Sequence, residues 1–152
     1  MQFTKAEEYG VLGVLHLAEK GQTAITPLSE VSEAKQIPEK FLAKIFQSLS
    51  RSGIVRSHRG VRGGFALARS PEEITVREIL ESIQGPYHLM KCVADLGSCE
   101  RNGEVCALRE LLIQAEQKLK EVFDNNSLAD LARWEAERKN GSKPVENTPP
   151  TE

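Results

Sequence analysis

Apolar and polar residues recur at helical spacing in the first part of the chain. Thr4 and Glu7 have the spacing of a capping box, and the apolar run behind them carries a first helix to about Lys20. Thr26-Pro27 is expected to open a second, short helix, because Thr is a good cap and Pro fits the first turn. A third helix is predicted to start near Pro38 and to bury one apolar face: Phe41, Leu42, Ile45, Phe46 and Leu49.

The pattern changes period after the third helix, which is expected to end at residues 52–53. Residues 54–58 and 65–68 are short and extended in character, and a glycine-rich turn separates them at residues 59–64. They predict a β-hairpin with a basic tip. Three short helices followed by a hairpin are the outline of a winged helix-turn-helix, with the third helix for recognition and the hairpin as the wing.

The second half of the chain begins with another capping box. Thr75 and Glu78 open a predicted helix that Gly85-Pro86 terminates. Residues 86–104 show little periodicity and predict a loop, which at such a length is usually functional or disordered. The helix predicted after this loop carries a wide apolar stripe: Val105, Leu108, Leu111, Leu112, Ala115, Leu119 and Val122.

Because this stripe is too apolar to leave in water, the long helix predicts a homodimer.

Together, the predicted helices and strands give a fold class that is mainly α with a small β-hairpin. The predicted organisation has four parts in chain order: a winged helix-turn-helix DNA-binding domain over residues 1–84, a cysteine loop over 85–106, the dimerisation helix and a short C-terminal helix over 104–140, and a disordered tail over 141–152.

Composition restricts the class of protein. The 152 residues are 39% apolar and 28% charged, as in an ordinary soluble protein of one or two domains. No stretch approaches the ~20 apolar residues of a membrane span, and the N-terminus has no apolar signal region, so a cytoplasmic protein is expected. The low Gly, Pro and Cys contents exclude collagen-like and disulfide-scaffold proteins.

The charge is divided unevenly along the chain. Residues 1–70 hold ten Lys and Arg against six Glu, whereas residues 71–152 hold ten against sixteen Asp and Glu. Residues 40–69 contain seven basic residues and no acidic one. A basic patch on a near-neutral chain fits a polyanion that binds this half alone, although a solvated face balanced by acids elsewhere is the alternative.

The hairpin sequence resembles a known signature. Residues 59–69, Arg-Gly-x-x-Gly-Gly-Phe-x-Leu-Ala-Arg, followed by Pro71, Ile74 and Thr75-Val76, resemble the wing of the Rrf-type (BadM-like) bacterial transcription regulators, and the iron–sulfur branch with IscR and NsrR in particular. The resemblance covers about residues 1–125. It implies a winged-helix homodimer in which the long helix crosses to the partner, and an optional cluster loop. Further matches lie at Phe3-Thr4-Lys5, Leu28-x-x-Val31-Ser32-Glu33, Ile37-Pro38 and Phe41-Leu42-x-x-Ile45.

The winged-helix outline places the DNA contacts on the third helix and on the hairpin. Lysines in these positions reach phosphates or guanine edges, Gln47 can read adenine, and arginines at a thin, glycine-rich tip suit a narrow minor groove. Given a basic hairpin after a helix-turn-helix, double-stranded DNA with a palindromic operator is favoured over mere solvation. The expected contact residues are Lys40, Ala43, Lys44, Gln47, Arg56, His58, Arg59 and Arg62, beside the exposed Glu39.

The three cysteines lie close together in the predicted loop. Cys92, Cys99 and Cys106 are each separated by six residues, and thiolates are soft ligands for iron–sulfur clusters or zinc. The resemblance implies a cluster, of 4Fe-4S or 2Fe-2S type, because cluster-binding members carry three cysteines here. Two features depart from the family: each gap is one residue longer than usual, and Arg109 stands where IscR-like members have a histidine.

A fourth ligand must therefore come from elsewhere, and Glu8 is the best candidate. It lies beside Val11, Leu12 and Leu15 on an apolar stripe of the first helix, where a carboxylate needs a partner. NsrR-like members use an acidic residue at the matching place, donated by the other subunit. The alternatives are that Glu8 pairs with a nearby cation, or that another residue is the ligand: His88, Asp95 or Glu104.

The chain is thus expected to be a DNA-binding transcriptional regulator, acting as a repressor, whose operator affinity an iron–sulfur cluster controls in response to redox state, nitric oxide or iron supply. A zinc- or thiol-dependent regulator without a cluster is the alternative. An enzyme is not expected, because the three histidines are dispersed and no Walker or dinucleotide glycine loop occurs.

Overall fold

The computed structural model of the protein describes residues 3–100 and 106–141. These residues form seven α-helices, two 3-10 turns and one antiparallel two-stranded sheet, which confirms the predicted fold class. The helices are α1 (Lys5–Lys20), α2 (Leu28–Lys35), α3 (Glu39–Arg51), α4 (Val76–Gln84), α5 (Lys91–Ala94), α6 (Ala107–Asp124) and α7 (Leu128–Lys139). The strands are β1 (Val55–His58) and β2 (Gly64–Leu67), and the 3-10 turns are Pro71–Glu73 and Leu96–Ser98.

Helices α1, α2, α3, α4 and α7 share one apolar core with the hairpin. Phe46 of α3 lies at its centre, fully buried, with its ring 5.0 Å from the ring of Phe65 of β2 in an edge-on arrangement. Edge-on aromatic pairs add to the stabilisation that burial alone provides. The surrounding core residues are Val14, Leu17, Val31, Leu42, Leu49, Ile54, Ile74, Ile79 and Leu128.

Both predicted capping boxes form. The Glu7 carboxylate accepts a hydrogen bond from the Thr4 backbone amide (2.8 Å), and Glu78 does the same for Thr75 (2.9 Å). A third box opens α7, where Ser127 pairs with the acid three residues later. Each box satisfies N–H groups that a helix start would otherwise leave without partners.

The expected cap at Thr26 is wrong. Thr26 is buried and pairs with Phe65: each residue donates its backbone N–H to the other's carbonyl oxygen at 2.8 Å. Thr26 therefore extends the sheet beside β2, and Pro27 occupies the cap position of α2 without a side-chain hydrogen bond. Backbone pairing at the edge of β2 outcompetes capping here, because it satisfies two backbone groups at once.

Phe41 was expected to be buried, and the structure corrects this. Its side chain is 43% exposed and meets the ring of Tyr9 edge-on at 5.7 Å between ring centroids. The core face of α3 consists instead of Leu42, Ile45, Phe46 and Leu49. Phe41 lies at the rim of that face, where spacing alone does not distinguish a half-covered side chain from a buried one.

The segment expected to be a loop contains short regular structure. Helix α5 occupies Lys91–Ala94 and a 3-10 turn follows at Leu96–Ser98. Four-residue helices carry too few apolar positions to give a periodic signal. The expectations at Glu104 and Val105, and the predicted disordered tail beyond residue 141, lie outside the described residues.

Helix α7 turns back onto the winged-helix part. Its first residue, Leu128, is fully buried in the core, and the Leu128 amide donates to the Ile74 carbonyl oxygen at 2.8 Å. Just before it, the Asn126 carbonyl oxygen accepts a hydrogen bond from the Val76 amide at 2.9 Å. At its far end, Lys139 pairs with Glu19 of α1 at 2.8 Å. The end of α6 and the start of α7 are therefore fastened to the start of α4.

Within the described ranges, no helix is both long enough and apolar enough to cross a membrane.

Candidate DNA-binding surface and cysteine segment

The exposed face of α3 carries the four residues expected to contact DNA. Lys40, Lys44 and Gln47 are exposed and Ala43 is partly exposed. Their spacing places them on one stripe, opposite the stripe that packs into the core. Core packing thus fixes which way the helix presents its cations and its amide.

The hairpin presents the second set of predicted contacts. Arg56 lies on β1 opposite Ala66, and partly buried His58 lies opposite Gly64, so both side chains project from the same face of the strand. Arg59 and Arg62 are exposed in the turn between the strands. The hairpin therefore brings three guanidinium groups to one edge of the domain.

Two glycines set the shape of the wing. Gly60 has φ +115°, which disfavours residues with a side chain, and so permits the tight turn. A Cβ atom at Gly64 would overlap the backbone of Thr26, which runs directly beside β2. The close backbone approach at Gly64 holds the base of the wing against the α1–α2 connection.

The cations among the predicted DNA contacts form no ion pair with the residues that the structure describes. Among the ion pairs of residues 3–100 and 106–141, none involves the two lysines of the α3 stripe or the three arginines of the wing. By contrast, Arg69 pairs with Glu78 at 2.8 Å, and Arg77 pairs with Glu81 and Asp124, each at 3.0 Å. Unpaired surface cations are available to phosphates without breaking an internal contact.

Sequence reasoning missed other residues at this surface. Val61 is fully exposed at the tip of the wing, between the two arginines. Gln22 and Thr23, from the turn after α1, join Arg56 and His58 around a groove of about 310 Å³ on the outer face of the hairpin. The pairing of Thr26 with β2 helps to bring this turn to the hairpin, and no local sequence signal indicates that pairing.

The three cysteines are distributed over three elements. Cys92 lies in α5, Cys99 follows the 3-10 turn, and Cys106 is the cap residue of α6. All three are free thiols and partly buried. In the described part of the chain, no three side chains of His, Cys, Asp or Glu are gathered as a metal site. Three thiols nevertheless form a donor set of the soft kind that iron–sulfur clusters and zinc select.

The segment that leads to Cys92 is held against α6. The Arg109 Nε donates to the Cys92 carbonyl oxygen at 2.8 Å. Further along α6, the buried Glu116 carboxylate accepts hydrogen bonds from His88 (3.0 Å), from the Leu89 amide (3.0 Å) and from Lys120 (2.6 Å). Burial by itself would raise the pKa of Glu116, but these three donors outweigh burial and hold that pKa below its ordinary value.

The environment of Glu8 differs from the expected one. Glu8 is exposed, and its carboxylate pairs with the Lys5 ammonium at 2.6 Å, which raises the pKa of Lys5. The buried carboxylate of α1 is instead Glu7, whose Oε2 belongs to the capping box and whose Oε1 has no hydrogen-bond partner among the described residues. Within one chain Glu8 thus follows the alternative of a cation pair, and its role as a ligand stays a prediction for the dimer.

The other ligand candidates already have contacts or lie outside the structure. His88 contacts Glu116, and the Asp95 carboxylate accepts from the Gly97 amide at 3.0 Å. Glu104 is not among the described residues.

Much of the apolar stripe of α6 is exposed in the described part of one chain. Leu108 is 57% exposed, Leu111 is 61% exposed and Val122 is 56% exposed. These values show that the helix has a second apolar face, distinct from the side that holds the cysteine segment.

Known proteins share this architecture. The Rrf2 family, described as "Iron-dependent Transcriptional regulator", matches residues 3–133. The HTH-type transcriptional regulator CymR of Bacillus subtilis is 30% identical over 134 residues, which are 88% of this chain and 91% of CymR. The solved structure of CymR, described as the global cysteine regulator of B. subtilis, has a TM-score of 0.73 at 29% identity and covers 88% of this chain and 98% of its own.

A second solved structure supports the fold alone. The structure of IscR from T. potens has a TM-score of 0.73 at 22% identity, and covers 97% of each chain. The matched family and CymR are transcriptional regulators, which confirms the expectation that the chain is not an enzyme.

Proposed function

The chain belongs to the Rrf2 family of transcriptional regulators, and from this premise we propose that it is a repressor that binds a palindromic operator as a homodimer and adjusts its affinity through an iron–sulfur cluster. The observation that carries DNA binding is the set of exposed cations on α3 and on the wing that form no ion pair within residues 3–100 and 106–141. In this arrangement α3 enters the major groove, and Arg59 and Arg62 reach the adjacent minor groove.

The homodimer supplies the two-fold symmetry that a palindromic operator needs. Supporting it, Leu108, Leu111 and Val122 are each more than half exposed on one face of α6. An apolar stripe of this size is unfavourable in water, and a second copy of α6 covers it with the same stripe. Two recognition helices are then held at a fixed separation, which must match half-sites about 34 Å apart.

Cys92, Cys99 and Cys106 are the residues that would hold the cluster, with Glu8 of the other subunit as the fourth ligand. The support is the donor chemistry: three free, partly buried thiols in one segment, and a carboxylate that is exposed on its own chain. When bound, a cluster supplies a group that responds to oxidants and small molecules. The chain's own contribution is to place the thiols beside α6 and so to connect them with the dimer.

A zinc- or thiol-dependent regulator is the second candidate. It is supported by the same three free, partly buried thiols, since three Cys and one other ligand also suit a tetrahedral zinc site. A thiol in this segment can also be oxidised without any metal.

Anaerobic purification separates these candidates. A brown protein with iron and sulfide in the stoichiometry of a cluster is expected, and its operator affinity should differ from that of the same protein after chelator treatment. Cys92→Ser should remove the colour, whereas Ser98→Ala in the same segment should not. A colourless protein with one zinc per chain, or a metal-free protein whose affinity changes only on oxidation, would exclude the cluster.

Glu8 is tested separately in the same preparation. Glu8→Ala should leave folding intact, because Glu8 is exposed and its carboxylate pairs with the exposed Lys5. It should nevertheless change the visible spectrum and shorten the lifetime of the cluster. Glu33→Ala, which removes an exposed carboxylate from α2, is the control. An unchanged spectrum and lifetime in Glu8→Ala would assign the fourth ligand to another residue.

A further inference from the structure

Two side chains of α6 bind the backbone of the segment around Cys92. The Arg109 Nε donates to the carbonyl oxygen of Cys92 at 2.8 Å, and the Glu116 carboxylate accepts from the amide of Leu89 at 3.0 Å. Arg109 and Glu116 lie about two helical turns apart, so both project from the same side of α6. We refer to this pair as the α6 clamp.

Glu116 is the better anchored member of the clamp. Most of α6 is exposed, yet the Glu116 residue is only 5% exposed. Its two oxygens accept three hydrogen bonds, of which the shortest is from Lys120 at 2.6 Å and the other two hold His88 and Leu89 at 3.0 Å. A buried carboxylate is tolerated only when its lone pairs are used, and bonds to a charged group are stronger than neutral ones. Glu116 therefore holds the segment around Cys92 in place and is not simply a solvent-exposed charge on the helix surface.

The segment is held less firmly on the side of α4. There the Tyr87 amide donates to Glu81 at 3.4 Å, a longer and weaker hydrogen bond. The far end of α6 is in turn fastened to α4 by the ion pair of Arg77 with Asp124. The segment around Cys92 therefore follows α6 more closely than it follows the winged-helix core.

We propose that Arg109 and Glu116 are positioning residues that make the Cys92 segment and α6 move as one unit. A change in the position of Cys92 then moves α6, the proposed dimerisation helix, directly. It reaches the recognition helices only through α6. The second step rests on the proposed sensing function, whereas the first concerns the fold of this chain alone.

Hydrogen exchange on the full-length protein tests the first step. Glu116→Ala should speed exchange of the Leu89 amide and its neighbours about tenfold or more, since a charge-assisted bond to a buried acceptor is lost. Glu116→Gln keeps one oxygen for that amide and should fall between Ala and wild type. Glu121→Gln, which removes an α6 carboxylate paired with Lys118, is the control and should leave the segment unchanged.

The Arg109 contact is tested by the reactivity of the thiols. Arg109→Ala should raise the rate at which iodoacetamide alkylates Cys92 relative to Cys99, by several-fold, because the backbone of Cys92 is released. Unchanged exchange at Leu89 in Glu116→Ala, with unchanged alkylation in Arg109→Ala, would overturn the clamp. Both measurements are made on chelator-treated protein without DNA, so this result is independent of the proposed function.

The transmission step needs a ratio of operator affinities, measured for anaerobically isolated and chelator-treated protein. If this ratio differs from one in wild type, it should be closer to one in Glu116→Ala. The operator affinity of the chelator-treated protein should be nearly the same in the variant and in wild type. A variant with a loosened segment and the wild-type ratio would refute transmission through α6. A wild-type ratio of one would refute the proposed sensing function, and with it transmission, while the exchange data would still decide the clamp.

Discussion

Replacing Leu128 by Ala tests whether α7 belongs to the core of the DNA-binding part. Leu128 is fully buried against residues from α1 to α4, although it stands at the start of the last helix. The substitution removes three carbon atoms from a close-packed interior and leaves a cavity that the fixed helices cannot close. Such substitutions cost about 2–5 kcal/mol of unfolding free energy.

We place the expected loss near the middle of that range, at about 3 kcal/mol, because two further contacts limit relaxation at this site. The Leu128 amide is hydrogen-bonded to Ile74 at 2.8 Å, and Thr75 pairs with Ser127 next to it. With a urea dependence of roughly 2 kcal/mol per molar for a small domain, the midpoint should fall by roughly 1.5 M. The protein concentration must be equal in all samples, since a dimer's stability depends on it.

The assay is urea unfolding followed by two probes. Far-ultraviolet circular dichroism reports all helices, and the fluorescence of Trp134, the one tryptophan of the chain, reports α7. The two transitions should coincide in wild type and shift together in Leu128→Ala. Leu96→Ala, which shortens an exposed leucine outside the core, should change the stability by less than about 0.5 kcal/mol. A loss of that small size in Leu128→Ala, or a separate fluorescence transition in wild type, would refute the view that α7 is part of the core.

Three further outcomes are expected. Leu111→Glu should convert the proposed dimer to a monomer in sedimentation at micromolar concentration, because it places a charge in the exposed apolar stripe of α6; an unaltered dimer would locate the interface elsewhere. Arg62→Ala should weaken operator binding by roughly 1–3 kcal/mol if it meets a base edge, or lower the salt slope by about one if it meets a phosphate. Its hydrogen-bond donors hold the pKa of Glu116 below the ordinary value of 4.5, so the ionised carboxylate contributes its full stability above that pH and loses it as the pH falls through the lowered pKa. The stability difference between wild type and Glu116→Gln should therefore shrink as the pH falls below 4.5. A constant difference would contradict the role given to the Glu116 carboxylate.

Local signals in the sequence predict much of the fold. Capping boxes and turn glycines act within a few residues, so the starts of α1 and α4 and the position of the hairpin follow from the pattern alone. Thr26 was assigned wrongly because its partner, Phe65, is far away in sequence and its backbone pairing replaces the cap. Local rules do not include such a competitor.

The candidate sites, like the fold, contain residues that local sequence signals predict and residues that they do not. The exposed face of α3 follows from helix periodicity, once the apolar face is known. Glu116 could not be identified, since a carboxylate in a helix is normally assigned to the solvent, whereas the return of residues 88–89 to α6 brings two of its hydrogen-bond donors to it. Glu8 was assigned to an apolar stripe, whereas within one chain it follows the stated alternative of a cation pair, because Lys5 lies three residues earlier on the same helix.

The docking of α7 has a consequence for the order in which the protein folds during synthesis. The helix-turn-helix and the wing leave the ribosome first, but their core is not closed until Leu128 has also emerged. The contact of Lys139 with Glu19 spans 120 positions, and such long loops slow the final step of folding. Until then, a nascent chain exposes the apolar surface that α7 will cover. Neighbouring nascent chains on one messenger RNA can then contact each other through these exposed apolar surfaces. We therefore expect the chain to become competent to bind DNA only after the last described helix has emerged.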